Sequence, residues 1–367
     1  MTLKQTSSYR SRALIDLSAC RHNLAQAKLA APDSLCMAII KANAYGHGME
    51  NIAYALNKAD AFGVATVYEG VQLREAGITK TIVLLEGFSS KDELNLIRGY
   101  RLQCVVHHES QVKILEHDNG NAIPVWLKID TGMHRLGFSI NTAGDIFNRL
   151  QKCSAVSQPI RLMTHLANAD DKHDDKTIKQ IEDFDRSVAE LVTGETEISI
   201  ANSAGILGWP QSHANWNRPG ILLYGVSPFI NTSAKDHNLK PVMTLSSRII
   251  SINSHSQGEA IGYGGSYTCE KDMTIGVVAI GYGDGYPRHA KTGTPVWVNN
   301  QRTRLLGRVS MDMICIDLTE HNTIQVGDPV ELWGKNLPVE EIAKNSDTIG
   351  YELLCGVTQR VEFVYHD

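Results

Sequence analysis

Ala38-Ile39-Ile40-Lys41-Ala42-Asn43-Ala44-Tyr45-Gly46-His47-Gly48 is an apolar, β-branched run ending in one lysine, after which a glycine-flanked loop opens into a helical pattern. It is a strand-to-helix junction without the Gly-x-Gly-x-x-Gly fingerprint that an open dinucleotide-binding sheet carries at its first such turn. A lysine ending a buried strand is costly unless it is used. Desolvation disfavours the ammonium and exposes the amine lone pair, which suits Lys41 to imine chemistry with an aldehyde cofactor. A strand-end lysine can also simply snorkel to solvent, and the stretch alone leaves both readings open.

Outward from this junction, strands and helices alternate. Arg12–Leu17 has the alternation of a short strand, and Ser18 is placed to cap a helix carrying Cys20, Leu24 and Ala27 on one face. Strand-like runs follow at Met37–Ile40, Phe62–Ala65, Ile82–Leu85, Gln103–Val106, Val125–Ile129, Arg161–Met163 and Ile198–Ile200, with Trp216–Arg218 as a short eighth. Met49, Ile52, Ala53 and Leu56 have the spacing of one buried helical face. Ser90 and Glu93 form a capping-box pattern, and Gly77 and Gly99 are placed as helix stops. Eight βα units predict an α/β chain opening with a closed (β/α)8 barrel of TIM type; an open doubly wound sheet is the alternative.

Near Lys240-Pro241 the pattern changes. Val242–Ile252, Thr274–Ile280, Thr294–Val298, Thr303–Leu306, Met313–Asp317, Val330–Trp333 and Val361–Tyr365 are strand-like, with one helical interval at Val339–Leu354. This predicts a mostly-β C-terminal domain. The boundaries are drawn at 1–240 for the barrel and 241–367 for the β domain, with residues 1–17 able to lend a strand to the second.

A length of 367 residues exceeds one average domain, and 43% apolar with 20% charged residues is ordinary globular composition. The net charge of −5 comes from interspersed residues of both signs. Without a basic block, nucleic-acid binding has no electrostatic support, and small metabolites are the expected partners. Met1–Arg12 lacks the apolar core of a signal peptide and no run is long enough to span a bilayer, so the expected compartment is the cytoplasm. Seven scattered cysteines without a Cys-x-x-Cys pair read as reduced small core residues.

In a barrel, residues at the C-terminal ends of strands share one mouth. Lys41 follows the first strand, Arg135 the fifth, His165 the sixth, Asn202 and Ser203 the seventh, and Arg218-Pro219-Gly220-Ile221 the eighth. Such a set suits an anionic aldehyde cofactor: Ser203 and the N–H groups of Gly220 and Ile221, opening a helix, can bind a phosphate. Asn202 and Ser203 also suit a plain helix N-cap, and His165 a structural role. Lys128, mid-strand, would be a buried cation needing a partner or a chemical modification.

The second domain offers glycine-aromatic turns at Gly262–Tyr267, Gly281–Arg288 and Gly307–Met313, which lack the strand-to-helix setting of a phosphate loop. Ala169-Asp170-Asp171-Lys172-His173-Asp174-Asp175, near His165, raises a metal-hydrolase alternative. Lys172 and Lys176 interrupt it, which favours a solvated loop and no metal.

Together these segments resemble the alanine racemase family of fold-type III pyridoxal 5′-phosphate (PLP) enzymes. The match runs from Ala13-Leu14-Ile15-Asp16-Leu17 to Arg360-Val361 and is most specific at Lys41–Gly48, Lys128–Phe138, Arg218–Gly225, around Tyr263 and at Met311-Asp312. The resemblance implies a head-to-tail homodimer whose active sites combine both chains, with no nucleic-acid or membrane partner. Lys41 would bond covalently to PLP. Tyr45, Ser203, Gly220 and Ile221 would hold its phosphate, beside Asn202. Arg218 would face the pyridine nitrogen, and His165 would lie between Arg218 and a partner's tyrosine at position 263. Arg135 would contact the phenolic oxygen and the substrate carboxylate, with Met311, Asp312 and Tyr282 shaping the substrate pocket. The family's frequent carbamylation at the position of Lys128 would supply an anion to orient Arg135. One departure stands out: Gln359 occupies a position where some members carry a phosphate-contacting tyrosine.

The activity implied is interconversion of L- and D-alanine for bacterial cell-wall peptidoglycan. Racemisation needs one acid/base group on each face of Cα, and the resemblance points to Lys41 and Tyr263. A phenol's reference pKa of about 10 requires help from neighbours. A racemase of serine or broader range is the near alternative. A non-catalytic PLP carrier would lack the β domain, and decarboxylases of this plan use other motifs.

Overall fold

A computed structural model describes residues 10–367. The first strand, β1 (Arg12–Asp16), is followed by the barrel strands β2 (Leu35–Ile39), β3 (Ala61–Val64), β4 (Thr81–Leu84), β5 (Gln103–Val106) and β6 (Ile123–Asp130). After the two-residue β7 (Phe138–Ser139), which leans on β6, come β8 (Val156–Met163), β9 (Ile198–Ser199) and β10 (Trp216–Asn217). β2-β3-β4-β5-β6-β8-β9-β10 pair in parallel, and β10 returns to β2, so the sheet closes into the eight-stranded barrel.

Short β-branched and apolar runs buried on both faces make these strands. Met37, Ala38, Phe62, Ile82, Val83, Val105 and Leu127 are fully buried. The connecting helices carry their own start signals. Ser90 accepts from the Glu93 N–H at 3.2 Å, and Thr66 with Glu69 forms a reciprocal capping box. At Leu17–Ala30 the cap is Asp16, which accepts from Ala19 N–H at 2.8 Å; Ser18 instead donates to Asp16. A carboxylate at the N-cap out-competes a hydroxyl two residues inside the turn.

The C-terminal part contains β11 (Met243–His255), a small hairpin of β12 (Ala260–Ile261) and β13 (Tyr267–Thr268), then β14 (Met273–Val278), β15 (Pro295–Val298), β16 (Gln301–Leu306), β17 (Ile314–Asp317), β18 (Pro329–Trp333) and β19 (Glu362–His366). β11 is long enough to pair with β18 and β1 at one end and, beyond a bulge at Ile249/Ser251, with β14 at the other. β14-β17-β16-β15-β18-β11 thus form a second closed ring, to which β1 and β19 are added. The helical interval splits into Val339–Asn345 and Gly350–Cys355.

Gly46 bridges the two parts. At φ +80, a Cβ there would run into the Leu354 carbonyl of the second helix. Cys20, Cys36, Cys104, Cys153 and Cys269 are buried and all seven cysteines are free, but Cys315 is half-buried and Cys355 exposed, so the small-core reading fails for those two. Among the described residues no helix is long and apolar enough to cross a membrane.

Candidate active site

After β2 the chain does not enter a helix directly. Ala42, Asn43, Ala44 and Tyr45 all have φ between 50 and 55°, one turn of left-handed helix. Without glycine this costs about 1–2 kcal/mol per residue, so the surroundings must hold it. They do. Ala42 N–H donates to Glu69 at 2.7 Å, Ala44 N–H to the Ile40 carbonyl at 2.8 Å, and Met49 N–H to the Asn43 side chain at 2.8 Å. Lys41 stands half-buried at the start of this turn, and Tyr45 is buried at its end.

The turn aims Tyr45 across the barrel mouth at Gly220. A Cβ on Gly220 would lie 2.7 Å from the Tyr45 hydroxyl, which makes no hydrogen bond among the described residues. Ser203 Oγ, buried, accepts from Gly220 N–H at 2.8 Å and Leu222 N–H at 3.4 Å. Gly220–Leu222 does not open an α-helix, as the sequence suggested, but a four-residue 3-10 turn, Ile221–Tyr224. Ile221 N–H, first in that turn, has no intrahelical acceptor. Asn202 caps the helix Ser203–Gly208 by accepting from Gly205 N–H at 3.0 Å, and it donates to the Leu166 carbonyl; its local role is structural.

Arg218 is buried and, among the described residues, has no carboxylate partner. Its guanidinium donates to Ser199 Oγ at 2.5 Å, to the carbonyls of Thr164 at 2.6 Å and Ile200 at 3.0 Å, and reaches His165 Nδ1 at 3.3 Å. Burial brings it down to about 10, which still leaves it charged at neutral pH. Lys128 is buried on β6; desolvation, then the charges of Arg218, Arg135 and Lys41, push its amine down to about 8, with only Asp130 opposing. Burial and the same cations, together with Lys128, hold His165 well below its usual range. Lys41, Lys128, Arg135, His165 and Arg218 therefore share one mouth, and its field is strongly positive. Such a site favours anionic ligands, here with hydroxyl and N–H groups converging for a phosphate.

The β-domain candidates are not in this cluster within one chain. Tyr263 is 70% exposed and, among the described residues, has no hydrogen bond or ring contact. Tyr282 and Met311 are exposed on loops clasped together: Tyr282 N–H donates to Ser310 at 3.0 Å and Gly283 N–H to Met311 at 2.9 Å. The Asp312 carboxylate is taken by Arg360 at 2.6 Å. Gln359 is exposed.

Sequence reading missed several supporting groups. Glu69 fixes the left-handed turn, and its signal was the Thr66-x-x-Glu69 capping spacing. Ser199 receives Arg218, and Cys355 lies close enough to feel the charge of Lys41. No local pattern announces either. In the acidic stretch Asp171 and Asp174 cap their own loop, accepting from His173 N–H and Lys176 N–H at 2.9 Å. Among the described residues no three potential ligands gather for a metal. A cavity of about 480 Å3 opens beside the mouth between Asp130–Ile140 and the helix Lys176–Val188, but Lys41, Ser203, Gly220 and Arg218 do not line it.

Comparison with known proteins agrees with this geometry. The family model described as alanine racemase, N-terminal domain, matches residues 15–228, and that of the C-terminal domain matches 242–365. An alanine racemase of Vibrio parahaemolyticus is 49% identical over 357 residues, covering 97% of this chain and 99% of the relative. One of Coxiella burnetii is 49% identical over 361 residues, covering 97% and 98%. The crystal structure of a biosynthetic alanine racemase from Pseudomonas aeruginosa superposes with a TM-score of 0.95 at 42% identity, covering 98% of this chain and 100% of that one. With both of its halves matched in order and near-identical architecture throughout, the chain belongs to the alanine racemase family.

Proposed function

We propose that this protein interconverts L-alanine and D-alanine with PLP bound at the barrel mouth, acting as a cytoplasmic homodimer that supplies D-alanine to the cell wall. The barrel unit is taken as 1–240 and the β unit as 241–367 with β1 added. The observation that carries the reading is the convergence of Lys41, Arg135, Arg218 and Lys128 on one mouth beside the Ser203 and Tyr45 hydroxyls, the Ile221 N–H and the open face of Gly220. The residues fit the cofactor. The space a Gly220 Cβ would fill, the free Tyr45 hydroxyl and the uncompensated cations match a phosphate, and Lys41 is the amine for its aldehyde.

When bound, PLP supplies an electron-withdrawing ring that acidifies the Cα proton of an attached amino acid. The chain does the rest. Lys41 anchors the cofactor and moves the proton on one face of Cα. Arg135 fixes the substrate carboxylate, so that Cα presents the same two faces every cycle. Arg218, a buried fixed charge, would stand at the ring nitrogen, where a cation disfavours a second positive charge and so limits side reactions. On the opposite face the group is the Tyr263 hydroxyl of a second copy, assisted by His165, with Met311, Asp312 and Tyr282 of that copy shaping the pocket.

The test is incubation with L-alanine, and in parallel L-serine, in deuterated water. D-alanine bearing deuterium at Cα is expected. Absence of both exchange and D-alanine would overturn the reading.

A further inference from the structure

Three rings stand in a column beneath the phosphate cradle. Tyr45 stacks on Tyr224 with centroids 4.7 Å apart at 27°, and the His47 ring lies 4.7 Å from the same Tyr224. Tyr351 of the β domain leans on Tyr45 at 5.9 Å. Tyr224 is pinned by its hydroxyl, which donates to the Ile39 carbonyl at 2.9 Å, at the end of the strand leading to Lys41.

His47 is the unusual member. It is fully buried, and its Nδ1 sits 2.9 Å from the Tyr45 carbonyl and 3.1 Å from that of Ala44. A ring nitrogen between two carbonyl oxygens must carry the proton, so Nε2 is left as a bare acceptor. Among the described residues that Nε2 is buried without a partner. An orphaned acceptor is unfavourable where a phenyl ring would fill similar space without it. What the imidazole provides in return is the Nδ1–H bond to the last two residues of the left-handed turn, the segment that aims Tyr45.

We propose that His47 is a positioning residue for the cofactor phosphate: its Nδ1–H clamps the turn Ala42–Tyr45, and through Tyr224 the column fixes the Tyr45 hydroxyl over Gly220. The inference rests on the reading that Tyr45, Ser203, Gly220 and Ile221 hold the phosphate of PLP. It assigns a role to a side chain that touches neither cofactor nor substrate. Its signature is selectivity: a displaced Tyr45 hydroxyl weakens the grip on the phosphate but not on the aldehyde or ring.

The experiment uses the full-length protein freed of cofactor, titrated with PLP and separately with pyridoxal, which has the same ring and aldehyde but no phosphate. Thermal unfolding is followed in parallel. His47→Phe keeps a ring and loses the Nδ1–H; PLP affinity should fall about tenfold while pyridoxal affinity stays within about twofold. His47→Asn, whose amide nitrogen takes the place of Nδ1, should recover most of the loss. If His47→Phe does not fold, Tyr224→Leu removes the middle ring and keeps the turn's hydrogen bonds, with the same phosphate-selective loss expected. Equal losses for the two ligands, or unchanged PLP affinity in folded variants, overturn the proposal. Wild-type protein that binds PLP no better than pyridoxal would instead overturn the phosphate cradle itself.

Discussion

Nδ1 of His165 lies 3.3 Å from the guanidinium of a buried Arg218. An arginine can only donate, so Nδ1 accepts, and the neutral imidazole carries its proton on Nε2. Burial and four surrounding cations keep His165 from gaining a second proton.

Stability should consequently depend on pH in a definite direction. His165 is held well below its ordinary value, and His47, by burial, is lowered to about 4. Above about pH 6.5 neither ring binds a proton, folded or unfolded. Below it, the unfolded chain takes up protons that the folded chain refuses, so stability falls as the pH drops. Each histidine contributes up to about 1.4 kcal/mol per pH unit in this window. Thermal unfolding between pH 7.5 and 5 should show a falling midpoint, and His165→Gln should flatten the slope. A midpoint that rises toward pH 5 would contradict the buried neutral state of both rings.

Gly220→Ala separates cofactor binding from folding. The backbone at Gly220 has a negative φ of −119, so the position is not one of the positive-φ sites that call for glycine. What the added methyl meets is the Tyr45 hydroxyl at 2.7 Å. PLP affinity should drop more than about tenfold, read by titration, with thermal unfolding without cofactor as the control for folding. A normal PLP affinity would mean that the phosphate is held elsewhere.

How legible the site was depended on how local its signals are. The barrel strands follow from short β-branched runs bounded by turns, and Gln103–Val106 is found where its pattern placed it. The convergence of Lys41, Arg135, His165 and Arg218 follows from barrel topology, which brings strand ends together whatever the intervening sequence. The left-handed turn after Lys41 was not legible, because Ala42 and Ala44 are strong helix formers, while the contacts that hold φ near +50°, from the distant Glu69 carboxylate and the nearby His47 ring among them, leave no turn signature in the stretch itself. Ser18 was misread as a cap because the stronger acceptor, Asp16, looked like the last residue of a strand, and it is both.

Lys128 should be chemically distinctive. Its amine, at about 8, is largely ammonium at pH 7 and largely free at pH 9. Only the free amine adds carbon dioxide to give a carbamate. At fixed carbon dioxide pressure, a carbon-13 carbamate signal should rise through about pH 8 and be missing in Lys128→Arg. The new anion would replace a cation next to Arg135 and Arg218, so KM for alanine should rise in Lys128→Arg more than kcat falls. No signal at pH 9 in the wild type would show that the buried amine is carried unmodified.

The exposed position of Tyr263 leads to the most decisive test. The tyrosines of the ring column, Tyr45 and Tyr224, are buried, whereas Tyr263 stands 70% exposed on the 3-10 turn Tyr263–Gly265, among the described residues without a partner. Gly264 and Gly265, both at positive φ, build that turn and present the ring outward. If the hydroxyl serves a second copy's mouth, Tyr263→Phe should lower turnover by about a hundredfold or more, the usual scale of a lost acid/base group, and make solvent deuterium incorporation unequal for the two enantiomers. Lys41→Ala should be inactive for a different reason, having lost the cofactor amine. Mixing the two variants under conditions that exchange subunits then discriminates sharply. A hybrid dimer pairs an intact Lys41 in one chain with an intact Tyr263 in the other at one of its two mouths, so activity should reappear from two inactive parents. No recovery, with subunit exchange verified by mass spectrometry of the intact dimer, would mean that each chain uses its own Tyr263 or none, and the shared-site reading would fall.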